Sequence, residues 1–293
     1  MACLLLATHV VLGNIVELIN APAIDRGESM GMNATVDLHY RLRVPPGWWT
    51  SDAGRRRAEY NAVMHALHGK NIWQDERLQR QLDLLGVVGN AMPSGSPLSD
   101  RLLHRLINMT QPRVFLEVGV FRGKTSTAAA RIFDLDSRFA RSFVLSMDTW
   151  LLDLRFVWDD SAKKGVGSYF NQNAELGGAS QLYFTFLANV LKCQLAHRII
   201  PLQTASSNGA MALLAHKIRP DLMYIDASHS NPDVFIDYEN FFNILTPGGI
   251  MAVDDIRIVP ACAVAFDALL KRYGLIGEYR GNQAYVRKPE TFE

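Results

Sequence analysis

The chain has 293 residues, which at roughly 150 residues per domain makes one large domain or two small ones. Apolar residues make up 48% and charged residues 20%, a globular balance that excludes whole-chain disorder, collagen and coiled coil. Thirty Lys and Arg against 29 Asp and Glu leave +1, so no strong field draws in nucleic acid or an anionic membrane, and neither is expected as a partner. The three cysteines, Cys3, Cys193 and Cys262, are odd in number and far apart. That excludes a disulfide framework or a zinc ribbon and suits a reducing, cytoplasmic setting.

Cys3 to Leu12 is an apolar run, and Ala21-Pro22-Ala23 resembles a signal-peptidase site. No Lys or Arg precedes the run, and His9, Asn14 and Glu17 interrupt the apolar stretch, so it reads as a helix docked on the protein, with a targeting signal as the alternative. A membrane span needs about 20 predominantly apolar residues, and Glu17 would be costly in one. Asn33-Ala34-Thr35 and Asn108-Met109-Thr110 fit the glycosylation pattern, which matters only in a secreted chain.

Trp48-Trp49 and Arg55-Arg56-Arg57 would suit a nucleic-acid patch, but no second basic stripe supports a groove. They read instead as a solvated helix start beside a Trp-anchored loop. Residues 58–86 read as helix with a break near Gly69, and Leu78, Leu82 and Leu85 lie at helical spacing. His65 and His68 share that helix, and two histidines alone make a poor metal site. Pro93-Ser94-Gly95-Ser96-Pro97 reads as a linker. It divides a mainly helical extension, residues 1–97, from a domain over 98–293; the extension is expected to be a substrate lid or an oligomer contact. Ser99 is placed to cap a helix with Leu102, Leu103, Leu106 and Ile107 as its apolar face.

From there short apolar runs alternate with helical patterns. The runs are Val114–Val118, Ser142–Met147, Ile199–Leu202, Leu222–Ile225 and Ile250–Val253. Near-continuous apolar strands separated by helices imply a doubly wound, mostly parallel α/β sheet covered on both faces. Its ligands bind beyond the carboxyl ends of the strands. Residues 277–280 and 283–286, around Gly281-Asn282, read as a closing hairpin.

The first run leads into Glu117-Val118-Gly119-Val120-Phe121-Arg122-Gly123-Lys124-Thr125-Ser126. Gly119 and Gly123 allow a tight turn and close approach to a ligand, with a helix starting near Gly123. A phosphate loop needs four residues between its glycine and the Gly-Lys pair; only Val120, Phe121 and Arg122 intervene here, and Glu117 would oppose a phosphate. Asp148, closing the second run, suits a ribose, because a carboxylate can accept from both hydroxyls. Asp226 ends the fourth run, and Asp254-Asp255 end the fifth. Three carboxylates at one edge repel unless a cation or protons intervene, and an all-oxygen cluster suits Mg²⁺. One of the pair is otherwise a helix cap. His229, three residues past Asp226, is placed to be a general base or a structural histidine.

These motifs, with Met147-Asp148-Thr149-Trp150, Tyr224-Ile225-Asp226-Ala227-Ser228-His229 and Leu245-Thr246-Pro247-Gly248-Gly249-Ile250, resemble class I S-adenosylmethionine-dependent methyltransferases. Within that class they are similar to metal-dependent, macrocin-type O-methyltransferases of sugars and other small molecules. The resemblance covers about residues 98–287; Leu182–Val190 and Val234–Asp237 also fit the broader group. It implies a seven-stranded Rossmann-like sheet. It also implies that Glu117, Gly119 and Gly123 surround the methionine part and ribose of the cofactor, and that Asp148 binds the ribose hydroxyls. The loop Thr204-Ala205-Ser206-Ser207, with Ser206 and Ser207 as binding residues, lies near the adenine. Asp226, Asp254 and Asp255 correspond to the metal carboxylates, and His229 or Asp226 to the base. The family often has an aromatic after the Asp pair, where this chain has Ile256, a change expected at the substrate rim. Residues 151–181 match nothing in the family and are expected to help cover the substrate.

The expected function is therefore methyl transfer to a small hydroxylated acceptor. The alternatives are a non-catalytic cofactor-binding or assembly module, and, further off, a phosphate-loop nucleotide enzyme. Intact acids at 226, 254 and 255 argue against simple binding.

Overall fold

The computed structural model describes residues 52–93, 98–151 and 181–291, all within one compact unit that spans residues 44–293. The N-terminal apolar run, the first glycosylation pattern, Trp48-Trp49, most of the 93–97 linker and nearly all of 151–181 lie outside the described residues.

Seven strands form one sheet: β1 (Val114–Val118), β2 (Phe143–Asp148), β3 (Ile199–Gln203), β4 (Leu222–Ile225), β5 (Ile250–Val253), β6 (Glu278–Arg280) and β7 (Gln283–Arg287). Their order is β3-β2-β1-β4-β5-β7-β6, parallel from β3 to β5, with β7 inserted antiparallel between β5 and β6. The chain reverses direction across the sheet between β1 and β4, which is where ligands of doubly wound folds bind.

The apolar runs are continuous because both faces are covered. Val114, Leu116 and Val118 of β1 enter one core, together with Met223 and Ile225 of β4 and Met251 and Val253 of β5. Phe115, Leu222, Tyr224, Ile250 and Ala252 enter the other. The first face is covered by α1 (Asp52–His68), α6 (Ser206–Ala215), α7 (Asp233–Ile244) and α8 (Pro260–Tyr273). The second is covered by α3 (Asp100–Thr110), α4 (Lys124–Leu135) and α5 (Leu182–Lys192). The short α2 (Glu76–Leu84) follows a 3-10 turn at Ile72–Gln74. No helix of the described residues is long and apolar enough to cross a membrane.

Helix α1 ends at His68 and Gly69 is left-handed at φ +69°, so the anticipated break is there. His68 and its neighbours serve the sheet: Tyr60 Oη donates to Ala196 O at 2.5 Å, His68 Nε2 meets Pro201 O at 2.7 Å and Trp73 Nε1 donates to Ile199 O at 2.9 Å. These side chains cover the otherwise open edge of β3. Ser99 does stand at the start of α3, with Leu102, Leu103, Leu106 and Ile107 buried, but its side chain makes no capping bond. Its backbone N–H donates instead to Gln283 Oε1 on β7 at 3.2 Å. The second glycosylation pattern lies within α3, where Asn108 Oδ1 accepts from Arg138.

Candidate active site at the strand carboxyl ends

Parallel pairing brings the ends of β1, β2, β4 and β5 together. In register, Ser146, Glu117 and Tyr224 sit side by side on three adjacent strands, a polar row in an otherwise apolar face. Glu117 is buried and accepts from the Ser126 hydroxyl, which also meets Ser146 Oγ at 2.6 Å. Burial pushes the Glu117 carboxyl up to about 8, against the pull of its hydroxyl and amide donors and aided by the nearby Asp226 charge.

Gly119 has φ +85°, and a Cβ there would lie 1.9 Å from the carbonyl oxygen of Asp226 and 2.8 Å from Ala227 Cα. The sequence suggested that this glycine makes room for a ligand. The structure gives another reason: the space a side chain would fill is taken by the β4 backbone, so the glycine lets two strand ends close on each other. Gly123, φ +87°, precedes α4, and its Cβ would press on the Phe186 ring at 2.7 Å. Thr125, next in the supposed phosphate loop, is buried, and its hydroxyl accepts from Leu98 N–H at 3.2 Å. Its part in a phosphate site is thus taken by the protein itself.

Asp148 binds the β1 loop to β2. One carboxylate oxygen accepts from the amides of Val120 at 2.7 Å and Phe121 at 2.8 Å; the other accepts from Trp150 N–H at 2.7 Å. Trp150 Nε1 closes the ring by donating to Phe121 O at 2.8 Å. Burial raises the Asp148 pKa even against these amide bonds. Ser206 and Ser207 open α6. Ser207 is exposed, whereas Ser206 Oγ donates to Asp237 Oδ1 of α7 at 2.5 Å. Burial pushes Asp237 up to about 6.

The β4 and β5 ends carry the main cluster. His229 Nε2 lies 2.8 Å from Asp255 Oδ2 and 3.4 Å from Asp226 Oδ1. One donor atom from each of the three residues falls within 4.8 Å of the others. Asp226 is pushed up to about 6 by burial, offset by its bond to His229 and reinforced by Asp254 and Asp255. Burial alone would lower His229, but its bonds to Asp226 and Asp255 carry it up to about 9. The structure therefore brings His229 together with Asp226 and Asp255. Asp254 faces another way: Oδ2 accepts from Tyr224 Oη at 2.6 Å and Oδ1 from the Asp255 N–H at 2.8 Å. Ile256 is buried in the core cluster and does not stand at the mouth.

Asn282, in the β6–β7 turn, was legible only as a turn residue. Its Nδ2 donates to Asp255 Oδ1 at 2.7 Å and to Asp254 Oδ1 at 3.4 Å. Nothing in local sequence connects position 282 to 255; the antiparallel β5–β7 pairing does.

Residues 116–256 match the model of a family described as a methyltransferase domain. The match runs from within β1 to just past β5. No curated protein sequence matches the chain. An O-methyltransferase from Bacillus cereus, solved in complex with SAH, is 14% identical at a TM-score of 0.49, covering 79% of this chain and 100% of that one. The O-methyltransferase TomG from Streptomyces achromogenes, involved in tomaymycin synthesis and solved in complex with SAM, is 15% identical at 0.41, covering 81% and 99%.

S-adenosylmethionine is a sulfonium with an ammonium group, and the strand ends present two buried acids, Glu117 and Asp226, whose pKa values are raised chiefly by burial and whose ionised forms a bound cationic group would favour. Asp226 and Asp255 offer two hard carboxylate oxygens that fit a divalent cation, with His229 against both.

Proposed function

We propose that the protein is a divalent-cation-dependent O-methyltransferase acting on a small hydroxylated molecule such as a sugar or natural product. The observation that carries this reading is the Asp226–His229–Asp255 cluster at the ends of β4 and β5, beside the turn at Gly119. S-adenosylmethionine supplies an electrophilic methyl group for in-line displacement. A divalent cation supplies Lewis acidity that acidifies an acceptor hydroxyl.

The protein's part is to orient and to take the proton. Asp148 holds the β1 loop in place through Val120 and Phe121, and we assign it the ribose by its place at the end of β2. Glu117, Gly119 and Gly123 form the turn around the methionine part, and the α6 start at Ser206-Ser207 lies toward the adenine. Asp226 and Asp255 are the cation ligands, with Asp254 behind them, its oxygens committed to Tyr224 and the Asp255 amide.

His229 accepts the acceptor's proton only when it is neutral. Its two carboxylate partners hold the proton on; were they committed to a cation instead, that hold would be released and the imidazole could accept a proton. In this reading the same cluster switches from an ion triad to a catalytic site.

The test is methyl transfer from labelled S-adenosylmethionine to a panel of catechols, sugars and hydroxylated natural products, with Mg²⁺ or with EDTA. Transfer to oxygen that needs Mg²⁺, with S-adenosylhomocysteine affinity unchanged by EDTA, is expected. Transfer at full rate in excess chelator overturns the cation, and transfer to nitrogen or carbon overturns the acceptor class.

A further inference from the structure

The geometry points to Asn282 as a positioning residue that aims Asp255 into the site, an assignment that rests on the cation reading above. Asp255 is left-handed at φ +59°, a conformation that a non-glycine residue adopts at a cost. Asn282 holds both sides of the turn that contains it. Its Nδ2 donates to Asp255 Oδ1 at 2.7 Å, its Oδ1 accepts from Arg257 N–H at 3.0 Å, and its backbone carbonyl accepts from Ile256 N–H at 2.9 Å.

The assignment of the amide is fixed by this pattern. A backbone N–H can only donate, so the oxygen of Asn282 must face Arg257 and its NH₂ must face the carboxylates. The consequence is a division of labour on Asp255. Oδ1 is tied back to the hairpin, and Oδ2 is left to point at His229, 2.8 Å away. Without the Asn282 amide, Oδ1 loses its tie to the hairpin, and the aim of the carboxylate toward Asp226 and His229 is less firmly held. Only a side chain with both a donor and an acceptor at this length serves both partners. The hairpin turn itself does not require asparagine here, since Gly281 already supplies the positive φ of +66°.

The experiment uses the full chain, with Mn²⁺ alone as the cation probe followed by electron paramagnetic resonance. S-adenosylhomocysteine affinity and Tm are read in parallel. Asn282→Ala is expected to weaken Mn²⁺ binding about tenfold, with cofactor affinity and Tm close to the parent. Asn282→Gly, which a two-residue turn accepts, is expected to behave alike and serves if alanine disturbs folding.

Asp255→Asn supplies the control. In a double-mutant cycle, Asn282→Ala adds no loss once Asp255 is gone, because it acts through that carboxylate. Unchanged Mn²⁺ affinity in Asn282→Ala, or losses that simply add in the cycle, overturns the positioning role. Unchanged Mn²⁺ affinity in Asp255→Asn overturns instead the cation reading on which it rests.

Discussion

His229 stands between two carboxylates, 2.8 Å from Asp255 and 3.4 Å from Asp226. As an imidazolium it neutralises part of their charge. This explains how two acids and a histidine share one mouth without forcing all of them to be neutral.

The His229 imidazole should titrate near pH 9 by NMR, well above its usual 6.5, because its bonds to Asp226 and Asp255 outweigh the effect of burial. A raised folded-state pKa means stability that is fully present below 6.5 and lost as the pH rises through about 9. Asp255→Asn should bring the midpoint down by removing the nearer charge. A midpoint that stays near 9 in that variant would show that Asp255 is not what holds the proton.

Glu117 predicts a second pH dependence. Its folded pKa of about 8 lies above its ordinary 4.5, so its contribution is complete below 4.5 and is lost as the pH rises through 8. At about 1.4 kcal/mol per pH unit, the loss across that window is on the order of 5 kcal/mol. Glu117→Gln keeps the shape and the Ser126 hydroxyl as a partner, and should flatten the stability profile between pH 4.5 and 8 in urea titrations. A profile unchanged from the parent would mean that Glu117 is ionised in the fold.

Most of the domain was legible because its strands are buried on both faces and so appear as unbroken apolar runs. Val114–Val118, Leu222–Ile225 and Ile250–Val253 carry the same ends in sequence and structure. The acids of the site were legible because each ends such a run. What stayed hidden was direction and distance. Asp254 and Asp255 are adjacent, yet one turns to Tyr224 and the other to His229, a choice made by the left-handed backbone at 255 and by Asn282 from another strand pair. The reason for Gly119 was hidden likewise, since it depends on the approach of Asp226, more than a hundred residues away in the chain.

Asp148 should prove both structural and cofactor-binding. Asp148→Ala removes the acceptor of three backbone amides as well as the proposed ribose partner. A hydrogen bond to a charged group is worth roughly 1.5–3 kcal/mol, so S-adenosylhomocysteine affinity should fall about tenfold or more and Tm should fall with it. Calorimetry and thermal melts separate the two effects. Lost stability with cofactor affinity intact would leave Asp148 as a loop tie only.

Gly119→Ala tests the close approach of β1 and β4. The added Cβ would meet backbone atoms at 1.9 Å and 2.8 Å, which cannot swing aside, and the positive φ adds strain. The cost should exceed about 4 kcal/mol, seen as loss of soluble folded protein or a large fall in Tm. A folded, stable Gly119→Ala protein with weakened cofactor affinity would restore the ligand-clearance explanation.

Lys288 offers a prediction away from the chemistry. Its buried ammonium donates to the carbonyls of Phe242 at 2.8 Å, Asn243 at 3.0 Å and Leu245 at 3.0 Å, satisfying the C-terminal end of α7. Burial, with a smaller push from Arg219, lowers its pKa from 10.5 to about 8. Lys288→Met keeps the apolar stem but strands these carbonyls, and should cost about 2–4 kcal/mol in urea unfolding. The sign of the pH dependence is set by the lowered value: the lysine's contribution is complete above 10.5 and diminishes as the pH falls through 8. The deficit of the methionine variant should therefore widen as the pH is raised from 8 toward 10.5. A deficit that is constant over that range would place the Lys288 pKa near its ordinary value and its ammonium in water.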